Sequence, residues 1–291
     1  MKIKKLNINM KIVYFGTPEF ASSQLDAIIA AGHEVAAVVT VPDKPAGRGK
    51  KIQCSDVKET AMKHGLPIMQ PVSLKSQEFL DELSSYNADL FVVVAFRMLP
   101  EVVWSMPSMG TFNLHASLLP QYRGAAPINH VIINGEKETG LTTFLLDKEI
   151  DTGEIIKQVV VPIEENETAG SLHDKLMLLG NSVVVETIKM LEDGTVKSQS
   201  QEIIIKRDNL RLKPAPKIFK EDCKIDWTKD AKSVYDFIRG LSPYPAAHTQ
   251  FVAESGDVLD LKIFDVSLCE KTSSDDELYQ VKTDGKSYLK V

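Results

Sequence analysis

Asn113 and His115 lie two positions apart in Gly110-Thr-Phe-Asn-Leu-His-Ala-Ser-Leu-Leu-Pro120, and Asp151 opens an Asp-Thr-Gly turn at 151–153. An amide N–H can donate to an oxygen that gains negative charge in a reaction. An imidazole can donate there too, or relay a proton near neutral pH, and a carboxylate nearby favours the imidazolium through its charge. A lone His beside a lone Asn is ordinarily structural. The carboxylate on a Gly-ended turn makes an acid–base and oxyanion-stabilising site the better reading. Ser117 lacks the G-x-S-x-G elbow of a nucleophilic serine, so it is expected to hydrogen-bond within its loop.

These side chains meet only if the chain presents them together. Thr111 to His115 reads as a strand, and alternation then sends Phe112 and Leu114 one way and Asn113 and His115 the other. Upstream, Asp89-Leu-Phe-Val-Val-Val-Ala-Phe96 is apolar and β-branched, as in a strand buried on both faces of a parallel sheet. Lys11 to Phe15 is a strand and Gly16-Thr-Pro-Glu-Phe20 turns it into a helix, with Thr17 as N-cap, Pro18 first and Gly32 as stop. Glu34 to Thr40 completes a βαβ unit. The first turn lacks G-x-G-x-x-G, which disfavours a nicotinamide enzyme. Amphipathic helices are expected over 54–64 and 74–85, with a short strand between them. A short helix follows over 128–133, and strands over 140–146 and 154–162. A helix over 171–191 capped by Ser171 closes the first domain. Polar groups at the end of a strand then lie in a cleft at the carboxyl edge of an open α/β sheet.

The chain has 291 residues, a length that suits two domains, and a net charge of −6, which disfavours blanket nucleic-acid binding and asks for local basic patches. No apolar run approaches the roughly 20 residues that cross a bilayer, and residues 1–10 lack a signal peptide's apolar stretch; Met10 is a second candidate start. Cys54, Cys223 and Cys269 are odd in number, far apart and without metal-ligand spacing, which fits a reducing cytosol. The histidines show no H-E-x-x-H or paired spacing, so no metal is expected.

Two basic stretches stand out. Pro42-Asp-Lys-Pro-Ala-Gly-Arg-Gly-Lys-Lys51 reads as an irregular surface loop with Arg48, Lys50 and Lys51 exposed to phosphates, although Walker A fails at Lys44. Ile203 to Lys220 holds Lys206, Arg207, Arg211, Lys213, Lys217 and Lys220 against Asp208, with Pro214 and Pro216 keeping it extended. It reads as a basic ledge between domains. Beyond it, Trp227 is a packing anchor, 231–239 is helical, and short strands over 247–253, 260–266, 279–283 and 287–291 suit a small β-barrel. The expected divisions are 10–200, a linker at 201–217, and 218–291.

Asn113-Leu-His115 with Ser117-Leu-Leu-Pro120, Tyr122-Arg-Gly124 and Asp151-Thr-Gly153 closely resembles the folate-dependent formyltransferases, over about Lys11 to Thr249. The resemblance implies a Rossmann-like α/β catalytic domain and an OB-like second domain. It implies 10-formyl-tetrahydrofolate as formyl donor and methionyl-initiator tRNA as acceptor, handled by a cytoplasmic monomer. It makes Asn113, His115 and Asp151 catalytic. It places the folate on Phe96, Arg97, Met98 and Leu99 and on Ser117, Leu118, Leu119 and Pro120. The loop at 42–51 looks like a tRNA-facing arm, so Arg48, Lys50 and Lys51, with Lys206, Arg207 and Lys213 of the linker, are the expected tRNA contacts. Two departures stand out: Arg97-Met98 is closer to the purine-pathway relatives, and the family continues with a further basic segment where this chain stops at Val291.

Formyl transfer to an amine passes through a tetrahedral oxyanion, and an α-amino group with a pKa of about 8 is already a usable nucleophile near neutral pH. The rival readings are an amino-sugar nucleotide N-formyltransferase, against which the two basic stretches argue, and a non-catalytic RNA-binding protein. Against the second stands the intact Asn113, His115 and Asp151 set.

Overall fold

A computed structural model describes residues 10–46, 51–252, 256–268, 282–283 and 289–290. Its first elements are β1 (Lys11–Gly16), α1 (Glu19–Ala30) and β2 (Glu34–Val39), the expected βαβ unit. Pro18, not Thr17, is the N-cap, with no side-chain cap bond, and the chain leaves the helix through Gly32 at φ +86°. Next come β3 (Lys44–Ala46), β4 (Lys51–Gln53), α2 (Asp56–Lys63), β5 (Ile68–Met69), α3 (Gln77–Ser85) and β6 (Leu90–Val94). They are followed by α4 (Glu101–Trp104), β7 (Thr111–His115), α5 (Pro127–Ile133), β8 (Glu138–Leu145), β9 (Ile155–Pro162) and α6 (Ala169–Glu192).

One seven-stranded sheet has the order β5-β2-β1-β6-β7-β8-β9. The pairings from β5 through β7 are parallel, while β7–β8 and β8–β9 are antiparallel. Every residue of β6 is buried, since β1 and β7 flank it and helices cover both faces. On one face, Ile12, Tyr14, Leu90, Val92, Phe112 and Leu114 pack with Leu25 and Ile28 of α1 and Leu172 and Leu176 of α6. On the other, Val13, Phe15, Phe91 and Val93 pack with Phe79 and Leu83 of α3 and Val103 of α4. Truncating a fully buried ring such as Phe112 would cost about 3–5 kcal/mol.

Three local expectations are corrected. The 42–51 loop is not irregular throughout: β3 and β4 pair antiparallel, with Pro45 opposite Ile52. Proline is tolerated because each strand of a two-stranded ribbon has a free edge. Helix α6 starts earlier than expected, capped by Thr168; Ser171 is the third helical residue and closes a capping box with it. The linker is not wholly extended, since α7 (Gln201–Arg207) occupies its start.

The C-terminal part contains α8 (Ala231–Gly240), the hairpin β10 (Ala247–Val252) with β11 (Val258–Ile263), and the two-residue ladder β12 (Lys282–Thr283) with β13 (Leu289–Lys290). Trp227 packs against the Cys223–Ile225–Ile238 cluster and donates Nε1–H to Thr249 at 2.9 Å, as a packing anchor should. This part docks on the first domain: the Asn129 amide donates to the Gly240 carbonyl at 2.8 Å. A Cβ at Gly240 would come within 2.6 Å of Ile133, so only glycine permits this close approach of α8 to α5. No helix among the described residues is long and apolar enough to cross a membrane.

Candidate active site

Strand β1 leads to β2 on one side and has β6 on the other, so the topological switch point lies between β1 and β6, with β7 the next strand beyond it. Asn113 pairs in register with Val93 and shares its face, and His115 ends the strand beside Thr142 of β8. His115 is 6% exposed. Its Nε2–H donates to the Tyr122 carbonyl at 2.8 Å, because a carbonyl only accepts. That leaves Nδ1 on the side of Asp151, whose Oδ2 is 3.8 Å away, too far for a hydrogen bond but close for an ion pair once the ring is protonated. The Asn113 amide is half-buried and makes no hydrogen bond to another described residue. A free donor, an orientated imidazole and a carboxylate therefore converge at one strand end.

The Asp151 carboxylate is fixed by its own surroundings. Its Oδ2 accepts the Gly124 N–H at 2.9 Å, and its backbone is left-handed at φ 55°. Gly153 completes the turn, since a Cβ there would lie 1.7 Å from the Leu145 carbonyl oxygen. Tyr122 is left-handed too, at φ 61°. Its hydroxyl donates to Glu136 and receives the Asn134 amide at 3.2 Å. Burial, with the Glu136 carboxylate second, pushes that phenol well above its ordinary value.

The linker braces this loop. The Tyr122 N–H donates to the Lys213 carbonyl at 2.7 Å, and the Ala215 N–H donates to the Arg123 carbonyl at 2.8 Å. Gly124, at φ 128°, lies against Ala215, whose carbonyl oxygen a Cβ would approach to 2.3 Å. Residues 213–215 thus run as an added strand on the Tyr122-Arg-Gly124 loop.

The remaining expected residues divide sharply. Ser117 is fully buried and donates to the Gln121 carbonyl at 2.7 Å, while Leu119 and Pro120 are also buried. Their side chains hold the loop instead of lining the cleft, and of this group only Leu118 is half-exposed. Gln158 and Thr142 tie the loop to the sheet: Gln158 donates to the Leu119 carbonyl at 2.7 Å, and Thr142 to the Ser117 carbonyl at 2.6 Å. After β6, Met98 is 74% exposed and Leu99 is buried. Arg97 turns away from the cleft, donating to the Pro71 and Val72 carbonyls at 2.5 and 3.0 Å and lying 5.6 Å from the Phe96 ring. The guanidinium supplies donors to two loop carbonyls, so its side chain braces the loop after β5.

The basic residues differ from expectation as well. Arg48 and Lys50 lie outside the described residues, and Lys51 begins β4. Lys206 pairs with Glu202 at 3.6 Å, Arg207 with Asp208 at 2.7 Å, and Lys213 with Glu136. The linker ledge is thus partly neutralised, by its own Glu202 and Asp208 and by Glu136 of the first domain. Arg123 faces inward, its Nε and Nη2 on the Gln201 side-chain oxygen at 3.1 and 2.7 Å. Burial lowers its pKa while Asp151, Glu202 and other nearby carboxylates act the other way. Gln201 and Glu136 went unnoticed in the sequence, where neither falls in a motif.

A buried imidazole, an amide donor and a turn carboxylate meet at the end of one strand of a mostly parallel sheet, and comparison establishes the family. The pattern described as "Formyl transferase" matches residues 10–188, and "Formyl transferase, C-terminal domain" matches 217–290. The chain belongs to the formyl transferase family. More particularly, it is similar to the methionyl-tRNA formyltransferase of Bacteroides fragilis, 54% identical over 285 residues, covering 97% of this chain and 86% of that protein. The methionyl-tRNA formyltransferase of Flavobacterium johnsoniae is 52% identical over 265 residues, 91% of this chain and 82% of that one. In fold it matches the Helicobacter canadensis N-formyltransferase solved in complex with folinic acid and dTDP-3-aminofucose. That match has a TM-score of 0.58 and 21% identity, covering 84% of this chain and 89% of that chain.

Proposed function

We propose that this enzyme transfers the formyl group of 10-formyl-tetrahydrofolate to the amino group of methionyl-tRNA. The observation that carries the reading is the 54% identity to a methionyl-tRNA formyltransferase over 97% of the chain, second domain included. The site geometry supplies the chemistry. The neutral amine attacks the formyl carbon, and the new C–N bond forms as the carbonyl oxygen gains charge. The free Asn113 amide stabilises that oxyanion, and His115 does so once Nδ1 also carries a proton, since its Nε2–H is held by the Tyr122 carbonyl. The Asp151 carboxylate takes the amine proton through water; as the oxyanion collapses to the new formyl carbonyl and the C–N10 bond breaks, that proton passes on to N10, which leaves as the neutral N–H amine. No covalent enzyme intermediate is needed.

The exposed Met98 and Ile150, on the loops after β6 and β8, and the half-exposed Phe96 and Leu118 offer apolar surface for the aromatic body of a folate. The tRNA is held by Arg48, Lys50 and Lys51 of the arm and by a C-terminal OB-like domain at 218–291, joined to the catalytic domain (10–200) through 201–217. The enzyme acts as a cytoplasmic monomer. The test is incubation with 10-formyl-tetrahydrofolate and either methionyl-tRNA or an amino-sugar nucleotide. Formylation of the tRNA alone supports this reading, and formylation of the sugar alone overturns it.

A further inference from the structure

We propose that Gln201 is a positioning residue for Asp151, so that the start of the linker is a working part of the active site. Gln201 is 1% exposed, and its amide uses all its hydrogen-bonding capacity within the site. Nε2 donates to the Asp151 carbonyl at 2.9 Å and to the Gly153 carbonyl at 2.8 Å. Oε1 accepts both Arg123 contacts described above. Arginine only donates and carbonyls only accept, so the amide has one possible orientation.

The neighbourhood explains why such a residue is needed. Asp151 is left-handed at φ 55°, a conformation that persists in a non-glycine residue only when its surroundings enforce it. Its carboxylate must stay on the Gly124 N–H and beside His115. Gln201 grips the carbonyls on both sides of the turn and, through Arg123, the loop that carries Gly124. It therefore sets the distance between the two loops that meet at Asp151. Its own place is fixed by a reciprocal backbone pair just upstream, Ile155 N–H to Gln199 O and Gln199 N–H to Ile155 O, each 2.9 Å.

The inference rests on the proposed reaction for its kinetic test, but not for its structural one. Gln201→Met keeps the volume and removes every hydrogen bond; Gln201→Glu keeps the acceptor for Arg123 and removes both donors. Ile204→Ala, one turn along α7 in the Leu119–Phe144–Ile155 cluster, is the control for a purely structural loss. In the full-length protein, well below the melting temperature, both Gln201 variants should lose at least about tenfold in kcat with KM for donor and tRNA changed less than about twofold, as when transition-state alignment is lost. Ile204→Ala should lower the melting temperature and leave kcat in place. Independently, in protein labelled with ¹⁵N-histidine, the His115 ring signals should move in the Gln201 variants and hold still in Ile204→Ala. Gln201 variants with wild-type kcat and unmoved His115 signals would overturn the inference. A wild-type protein inert toward methionyl-tRNA would remove the proposed function, while the ring signals would still decide the role of Gln201.

Discussion

The Tyr122 carbonyl oxygen lies 2.8 Å from His115 Nε2, and this single contact decides which ring nitrogen carries the proton. With Nε2 carrying the proton, Nδ1 is the nitrogen left to gain or lose one near Asp151. The contact holds because Tyr122 is locked in a left-handed conformation by Lys213 at its N–H and by Glu136 at its hydroxyl.

Asp151→Asn keeps the shape of the turn and removes its charge. Under the proposed mechanism, kcat should fall at least about a hundredfold with little change in KM, the signature of a lost proton acceptor. Asn113→Ala should raise the barrier by about 3 kcal/mol by removing an oxyanion donor. If both groups serve one intermediate, the double variant should lose less than the product of the two. Steady-state kinetics on the three proteins checks this, and near-normal turnover in Asp151→Asn would take the carboxylate out of the mechanism.

Ser117→Ala should behave oppositely. It removes the hydrogen bond to the half-buried Gln121 carbonyl, at a cost of about 1 kcal/mol in stability, while kcat changes by less than Asp151→Asn changes it. Denaturant unfolding and turnover measured on the same preparation separate the two effects.

Glu136 gives a dependence on pH. Burial alone pushes its carboxyl up, but the hydrogen bonds from Lys213 and Tyr122 and the Lys213 charge outweigh this, leaving it below its ordinary 4.5. A group depressed in the folded chain stabilises the fold above its unfolded value and loses that contribution as pH falls through the folded one. Wild-type stability should therefore decline as pH drops below about 4.5, and Glu136→Gln should lose that part of the decline. Parallel slopes of melting temperature against pH for the two proteins would refute the assignment.

The arm is testable by salt. Replacing Arg48, Lys50 and Lys51 together with Ala should flatten the dependence of log K for tRNA on log salt by up to about 0.9 per lost duplex phosphate contact. Donor binding should be unaffected. An unchanged slope would leave these residues as ordinary solvated surface.

Much of the sheet was legible because its strands carry strong local signals. The apolar run at 89–96 became β6, and strand alternation placed Asn113 and His115 on one face of β7. Asp151 could be singled out because a Gly-ended turn after a strand is a local feature. Gln201 could not, since its partners lie 48 and 50 positions upstream and a buried glutamine has no periodicity of its own. The linker misled for a related reason. Its cations and prolines read as an extended basic ledge, yet Glu136, 77 positions from Lys213, and the free edge of the Tyr122 loop supply the partners that fix it. Ser117 bonds within its loop as the sequence predicts, while the side chain of Arg97 shows the same limit: a motif marks which loop matters, and packing decides where its side chains go.

The strand at 213–215 on the Tyr122-Arg-Gly124 loop also bears on how such chains can be recombined. A chimera joined at residue 200 would import the brace of one catalytic loop from a foreign parent, and with it Gln201, into a turn shaped by another sequence. A crossover just after Pro216 keeps Gln201, Lys213 and Ala215 with the loops they grip. Exchange of the second domain among relatives should therefore succeed at that point and fail some fifteen residues earlier, where composition alone would have put the seam.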